Sequence, residues 1–348
     1  MTDYVKPREI GGGLRLHQNE NTAGCSPRVI DALRSLGAEQ IAWYPAYTSA
    51  VDAVARHFGV DPAQVALTNG LDEGIMAVCV TKLRPQPGTP APESIVPEPA
   101  FEVYRVDTAV AGGTLVQVAP SPDFTLRLDA VLAAITPATR VVFLTNPNNP
   151  TGVSMPIDAI RTVARRVPQD AVVFVDEAYA EFAGRSFIPE LPSFPNVIVG
   201  RTFSKAYGLA GLRVGCLIGA AETIAPIRPA IPVYSVNTAA VVALHAALED
   251  VDYLQRYLRQ VKESKELLYA ACDRLGLKYW PSDANFVLVR VGDRAAEVVA
   301  GAANRGVHLR DRSSEPGCTG CVRIAVGLVE HTKMCISALE QALGVQST

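Results

Sequence analysis

The sequence predicts an α/β fold in two parts: a large domain on a mainly parallel central sheet, and a smaller α+β domain after it. Three observations carry that expectation. Between about residues 51 and 248, short β-branched runs alternate with amphipathic segments, as parallel strands joined by helical crossovers require. The runs are apolar at almost every position, which suits strands covered by helices on both faces. From residue 252 onward the order changes to a long helix, an alternating strand and mixed short elements, the pattern of a separate α+β unit.

Each element follows from its periodicity. Ala50, Val51, Val54, Ala55 and Phe58 recur at helical spacing and mark a first helix. Strands are expected at Ala66–Thr68, Ser94–Val96, Thr114–Val118, Val141–Thr145, Ala171–Val175, Val197–Gly200 and Gly215–Gly219. Between them Glu73–Leu83, Leu128–Ala134 and Pro156–Val167 carry apolar residues at i, i+3 and i+4 and read as helices. Arg84 to Glu93 holds four prolines and reads as an exposed connection. The C-terminal part reads as a helix over Asp252–Leu275, a strand at Asn285–Val291 and a helix at Arg294–Asn304. Strands near Val307–Leu309 and Val322–Val326 and a helix at Glu330–Leu343 close it. The expected division is an N-terminal arm and part of the small domain over 1–40, the large domain over 41–250, and the small domain over 251–348.

Composition narrows the function. Of 348 residues, 49% are apolar and 19% charged, the balance of a globular chain and not of a disordered one. With 32 basic and 35 acidic residues the net charge is −3, and there is no basic run. Nucleic acid and anionic membrane are therefore not expected as partners. No apolar stretch reaches the roughly 18 residues of a membrane span. Met1 to Ile10 lacks the apolar core of a signal peptide, so a cytoplasmic location is expected. Seven scattered cysteines, an odd number, read as reduced thiols. Cys318 and Cys321 have C-x-x-C spacing without a second pair to complete a tetrahedral site, and no metal is expected.

In an open α/β sheet, ligands sit beyond the carboxyl ends of the strands. There the sequence places Asn69-Gly-Leu-Asp-Glu73, Asn146-Pro-Asn-Asn-Pro-Thr-Gly152, Asp176-Glu-Ala-Tyr179, and Thr202-Phe-Ser-Lys205 followed by Arg213. Each alone has a plain reading as a cap, a turn or a solvated charge. Together they bring one lysine, one carboxylate, one amide, one phenol, one guanidinium and a glycine-opened helix to one sheet edge. A lysine can condense with an aldehyde, a carboxylate can keep a pyridine nitrogen protonated, and guanidinium, hydroxyls and helix N–H groups can hold a phosphate. Pyridoxal 5′-phosphate matches all of these demands.

The blocks Asn146–Gly152, Val175-Asp-Glu-Ala-Tyr179, Thr202-Phe-Ser-Lys-Ala206 with Gly211-Leu-Arg-Val-Gly215, and Cys321-Val-Arg-Ile324 give the chain a wider likeness. From about Leu16 to Leu343 it resembles the fold-type I pyridoxal-phosphate aminotransferases of class I/II, and most of all the histidinol-phosphate aminotransferases. The resemblance implies that Lys205 is the catalytic lysine, which binds the cofactor's aldehyde and moves the proton between the substrate carbon and C4′. It implies that Asp176 pairs with the ring nitrogen, that Asn149 and Tyr179 bond the ring oxygen, and that Phe101 stacks on the ring. Gly70, Leu71 and Asp72 would offer N–H groups to the phosphate, with Thr202, Ser204 and Arg213. Tyr44 resembles a tyrosine that reaches the cofactor of the other subunit, which implies a homodimer with shared sites. Arg323 matches the arginine for a substrate α-carboxylate, and Asn21 falls in the substrate segment. Arg310 resembles the arginine available to a distal phosphate; its alternative is an ion pair with Asp311 or Glu315.

Two departures stand out. Leu71 replaces a small hydroxyl residue, and Asn19-Glu-Asn-Thr-Ala-Gly24 stands where relatives carry Asn-Glu-Asn-Pro-Tyr-Gly, without that tyrosine. His17 reads as a hydrogen-bonded structural histidine, and Trp43 and Trp280 as core or interface. The expected activity is transfer of an amino group between an amino acid or histidinol-phosphate-like amine and a 2-oxo acid such as 2-oxoglutarate. The same residues would serve a decarboxylase or cyclase on this scaffold, because the cofactor sets the shared chemistry. A binding protein that merely kept the fold would not need the lysine and carboxylate set.

Overall fold

The structure is a computed structural model and describes residues 12–344. Strand β1 (Leu14–Arg15) precedes seven strands that form one sheet: β2 (Val65–Thr68), β3 (Glu93–Pro97), β4 (Thr114–Val118), β5 (Thr139–Thr145), β6 (Val172–Asp176), β7 (Val197–Thr202) and β8 (Gly215–Gly219). Their order is β2-β8-β7-β6-β5-β3-β4. All pairings are parallel except those of β8, which runs against both β7 and β2.

Burial on both faces explains the unbroken apolar runs. Val142 and Leu144 of β5, with Val173 and Val175 of β6, pack into one core with Val54, Ile160, Val163 and Leu244 from covering helices. Their alternate neighbours Val141, Phe143, Val172 and Phe174 pack into a second core with Ile75, Val78, Val103 and Tyr104. Each residue type therefore follows the two-residue strand period while both faces stay dry. The helices on these faces include Thr48–Phe58, Gly70–Lys82, Val103–Ala111, Ile157–Arg166 and Thr238–Glu249.

The C-terminal part adds β9 (Lys278–Trp280), β10 (Phe286–Arg290), β11 (Val307–His308), β12 (Arg310–Asp311) and β13 (Cys321–Ala325). An antiparallel sheet of order β12-β13-β10-β9 packs against helices Val251–Arg274, Ala295–Ala303 and Val329–Leu343. The strand expected near Val307–Leu309 is divided: β11 pairs in parallel with β1, while β12 pairs with β13. Its other face holds Trp280, Leu288, Cys318 and Cys321 in a small apolar cluster, and burial pushes the Cys318 thiol up to about 12. The stretch 84–92 carries no helix or strand, as its prolines suggest.

Candidate active site

At the carboxyl edge of the large sheet lies a cavity of about 570 Å³. β6 ends on Asp176, which is buried among apolar strands. Its Oδ1 accepts the backbone N–H of Ala178 at 2.9 Å and its Oδ2 accepts the Tyr104 hydroxyl at 2.6 Å. Tyr104 is stacked on Phe143, and its hydroxyl also meets Thr145 Oγ1 at 2.8 Å. Burial pushes the Asp176 carboxyl up to about 6, against the pull of these two donors. No ion pair holds Asp176 among the described residues, so a cation arriving from the cavity would find an unneutralised partner.

Lys205 sits just past the end of β7, and its Nζ donates to the Gln18 carbonyl at 3.0 Å. It lies 6.0 Å from the centre of the Tyr179 ring. The Tyr179 oxygen accepts from Asn19 Nδ2 at 2.9 Å. Phe101 lines the same cavity and meets Tyr104 edge-on at 5.9 Å.

The helix Gly70–Lys82 opens beside this group, and the Asn69 side chain makes no capping bond there. The first-turn N–H groups of Gly70, Leu71 and Asp72 are thus the unpaired donors that every helix start presents. Leu71, Asp72, Thr202, Ser204 and Arg213 all line the cavity. Arg213 precedes β8, and the reversed direction of that strand is what returns it to the edge where β7 ends, with Thr202 opposite Gly215. Arg213 takes a left-handed φ of 55° and pairs with Asp72 at 3.1 Å. A side chain on Gly70 would strike its guanidinium, and a Cβ on Gly215 would lie 2.9 Å from both Leu71 N and Arg201 O. The cradle is closed by backbone.

The opposite wall is cationic. Arg323 of β13 is buried; its Nη1 donates to Asn149 Oδ1 at 2.5 Å and its Nη2 to the His17 carbonyl at 2.8 Å, while Nε has no partner. Burial, then the charges of Arg312 and Arg310, press its pKa down. Arg310 is the cross-strand partner of Arg323 and lines the cavity too. Neither arginine has an ion pair among the described residues, and the expected alternative for Arg310 is not met. Glu315 instead pairs with Arg312 at 3.3 Å and Arg105 at 3.7 Å.

Some expectations change. Asn21 is not brought to the cavity: its Nδ2 bonds Ala206 O at 3.0 Å and its Oδ1 accepts Ala23 N at 2.9 Å. Asn19, at φ 55°, turns the chain so that its own amide faces Tyr179. Tyr44 lies outside the cavity, 77% exposed and stacked on Tyr234 at 4.2 Å. His17 is not satisfied by hydrogen bonds: it lines the cavity with Nδ1 buried and unpartnered. Thr22 is tied to the backbone of Leu328 at 2.8 Å. Tyr104, Asn19 and Arg312 carry parts of the site that sequence reasoning missed. Tyr104 falls three residues after Phe101, in the first turn of the helix Val103–Ala111, which the periodicity does not announce.

Pyridoxal phosphate fits this arrangement. The uncapped helix start with Thr202, Ser204 and Arg213 suits its phosphate, the unneutralised Asp176 suits its ring nitrogen, and Lys205 is bound only to a carbonyl.

The model of the family described as Aminotransferase class I and II matches residues 12–339. The chain is 38% identical to the histidinol-phosphate aminotransferase of Symbiobacterium thermophilum, covering 97% of this chain and 93% of that protein. It is 34% identical to that of Halalkalibacterium halodurans, covering 100% and 94%. A crystal structure of histidinol-phosphate aminotransferase from Sinorhizobium meliloti, in complex with pyridoxal-5′-phosphate, matches with a TM-score of 0.85. Identity to it is 27%, over 96% of this chain and 91% of the other. By family model, sequence and fold, the chain belongs to the class I and II aminotransferases and is a pyridoxal-phosphate-dependent aminotransferase.

Proposed function

We propose that this aminotransferase exchanges the amino group of histidinol phosphate, or of an amine closely like it, with a 2-oxo acid such as 2-oxoglutarate. The observation that carries the reading is the Arg310 and Arg323 pair. Two guanidiniums stand cross-strand on one cavity wall without a carboxylate partner among the described residues. Such a wall suits anionic substrates, and guanidinium groups take carboxylate and phosphate through parallel hydrogen bonds. The names of the relatives point the same way.

When bound, pyridoxal phosphate supplies the aldehyde that receives the amino group and a ring that draws electrons from the reacting carbon. The chain does the rest. Asp176 would hold the ring nitrogen protonated, and Asn149 and Tyr179 would bond the ring oxygen. Phe101 would pack against the ring. The Gly70–Asp72 N–H groups, Thr202, Ser204 and Arg213 would anchor the phosphate. Lys205, whose Nζ is bound only to the Gln18 carbonyl, would take and return the proton of the substrate carbon. Arg323 grips the α-carboxylate of an amino acid, and Arg310 the phosphate of histidinol phosphate.

The same reading makes the protein a two-fold dimer. Ile41, Trp43, Tyr44, Val233 and Tyr234 are exposed, and Tyr44 stacks on Tyr234; exposed apolar and aromatic side chains of this kind mark an interface, and Tyr44 would reach across it. Pairing of β1 with β11 supports assigning the N-terminal arm to the small domain. Among the described residues no helix is long and apolar enough to cross a membrane, and we place the reaction in the cytoplasm.

A half-reaction screen tests the substrate. Histidinol phosphate, unphosphorylated histidinol and glutamate are added singly while the visible spectrum of the bound cofactor is followed. Rapid change with histidinol phosphate and glutamate is expected. No response to histidinol phosphate beside brisk reaction of a plain amino acid would overturn the reading, and release of carbon dioxide would replace it with decarboxylation.

A further inference from the structure

His17 has no part in the chemistry above, yet its setting is unusual. The residue is 6% exposed and lines the cavity, and its Nδ1 is buried without a hydrogen-bond partner. A buried polar nitrogen left unpaired weakens a fold unless a ligand completes it. The neighbouring imidazole of His308 lies 6.3 Å away and is already bonded to the Gly12 carbonyl at 2.8 Å. The charged or titratable groups facing His17 are Arg15 and His308 on paired strands, Arg310 on β12 and Arg323 on β13. Glu20, the nearby carboxylate, is taken by Arg15 at 2.8 Å.

We propose that His17 binds the substrate phosphate together with Arg310, and takes up one proton from solvent as the phosphate dianion arrives. The step deepens the histidinol-phosphate reading and rests on it. Burial and the surrounding cations hold the His17 pKa down to about 4 in the free protein, so the ring enters as neutral imidazole. A dianion placed between His17 and Arg310 reverses the sign of the local field and favours the charged ring. The balance is simple: the proton adds to a ring nitrogen, imidazole becomes imidazolium, both ring N–H groups can donate, and the ester stays a dianion. Recognition would then favour phosphate over a carboxylate, whose single charge draws the proton less strongly.

Calorimetric titration of the holoenzyme with imidazolylpropyl phosphate, which is histidinol phosphate without its amine, avoids any reaction at Lys205. At about pH 8 the ester is almost wholly dianionic; repeating the titration in two buffers of unlike ionisation heat counts the protons gained by the complex, and the difference between the wild type and His17→Asn is the share of His17. Uptake approaching one proton per site is expected in the wild type. His17→Asn keeps an amide donor near the Nδ1 position but cannot ionise. It should bind about tenfold more weakly without uptake, and His17→Ala should bind more weakly still. Equal affinity and equal uptake in His17→Asn would overturn the role of His17 and leave the phosphorylated-substrate reading standing. No binding to the wild type would overturn both. A second measurement needs no variant: of the five histidines, one should move from the neutral to the protonated NMR position when the ester binds. If none moves, the proposal fails.

Discussion

Asp176 and Arg323 are both buried charges facing one cavity, and the chain holds them in different ways. Asp176 keeps its place through Tyr104 and Ala178, neutral donors within or beside the large sheet. Arg323 leans on the His17 carbonyl, the Asn149 amide and the Phe286 ring, which come from three distant stretches of sequence. The carboxylate sits in a rigid, locally built frame; the guanidinium sits where separate segments meet. Cofactor binding and substrate choice are therefore separable, and mutations should sort accordingly.

The largest break belongs to Lys205. Lys205→Ala should abolish turnover while the phosphate cradle still retains cofactor, and borohydride should fix the cofactor to Lys205 alone in the wild type. Peptide mapping checks this, and label on another lysine would move the site. Mixing Lys205→Ala with Tyr44→Ala subunits should restore part of the activity if Tyr44 acts across a dimer; hybrids that regain nothing would refute the shared site.

A smaller effect is expected on the arginine wall. Charged hydrogen bonds contribute about 1.5–3 kcal/mol each, so Arg310→Ala should lower kcat/KM for histidinol phosphate by roughly one to two decades. Glutamate should change far less, and the cofactor spectrum not at all. Equal losses for both substrates would make Arg310 structural.

The smallest change tests the frame around the carboxylate. In the cofactor-free protein Asp176 titrates at about 6 instead of 3.8, so the folded chain holds this proton more tightly than the unfolded one. The associated stability is present below pH 3.8 and is lost as pH rises through about 6, by about 3 kcal/mol. Asp176→Asn should remove that slope from thermal melts. Tyr104→Phe deletes a bond that lowers the carboxyl pKa, so it should carry the slope to higher pH and weaken cofactor binding by about tenfold or less. A slope that ignores both substitutions would point to another titrating group.

The frame was legible in sequence and the wall only partly so. Strand runs such as Val141–Thr145 and Val197–Gly200 announce themselves because helices bury both faces, and the motif residues follow directly at their ends. Thr238–Glu249 escapes because it is apolar nearly all round, and a helix without a polar face has no stripe to read. The reversed direction of β8 cannot be seen in its apolar run, although it alone explains how Arg213 returns to the edge where Lys205 begins. His17 meets Arg323 across some 300 residues and Arg312 meets Glu102 across some 200, which local periodicity does not encode. Asn19 rather than Asn21 faces the cavity because one left-handed backbone angle rotates the segment.

The contact of Gly215 with the amide of Leu71 bears on how such an enzyme can be re-engineered. A wall of main chain cannot be enlarged or reshaped by exchanging side chains, since even one methyl group at Gly215 would collide with it. On its Gly215 side the compartment for the cofactor phosphate is thus closed to enlargement by point mutation. His17, Arg310 and Arg312 line the cavity, and libraries confined to those side chains should retune the accepted amine while every member still assembles with the same cofactor.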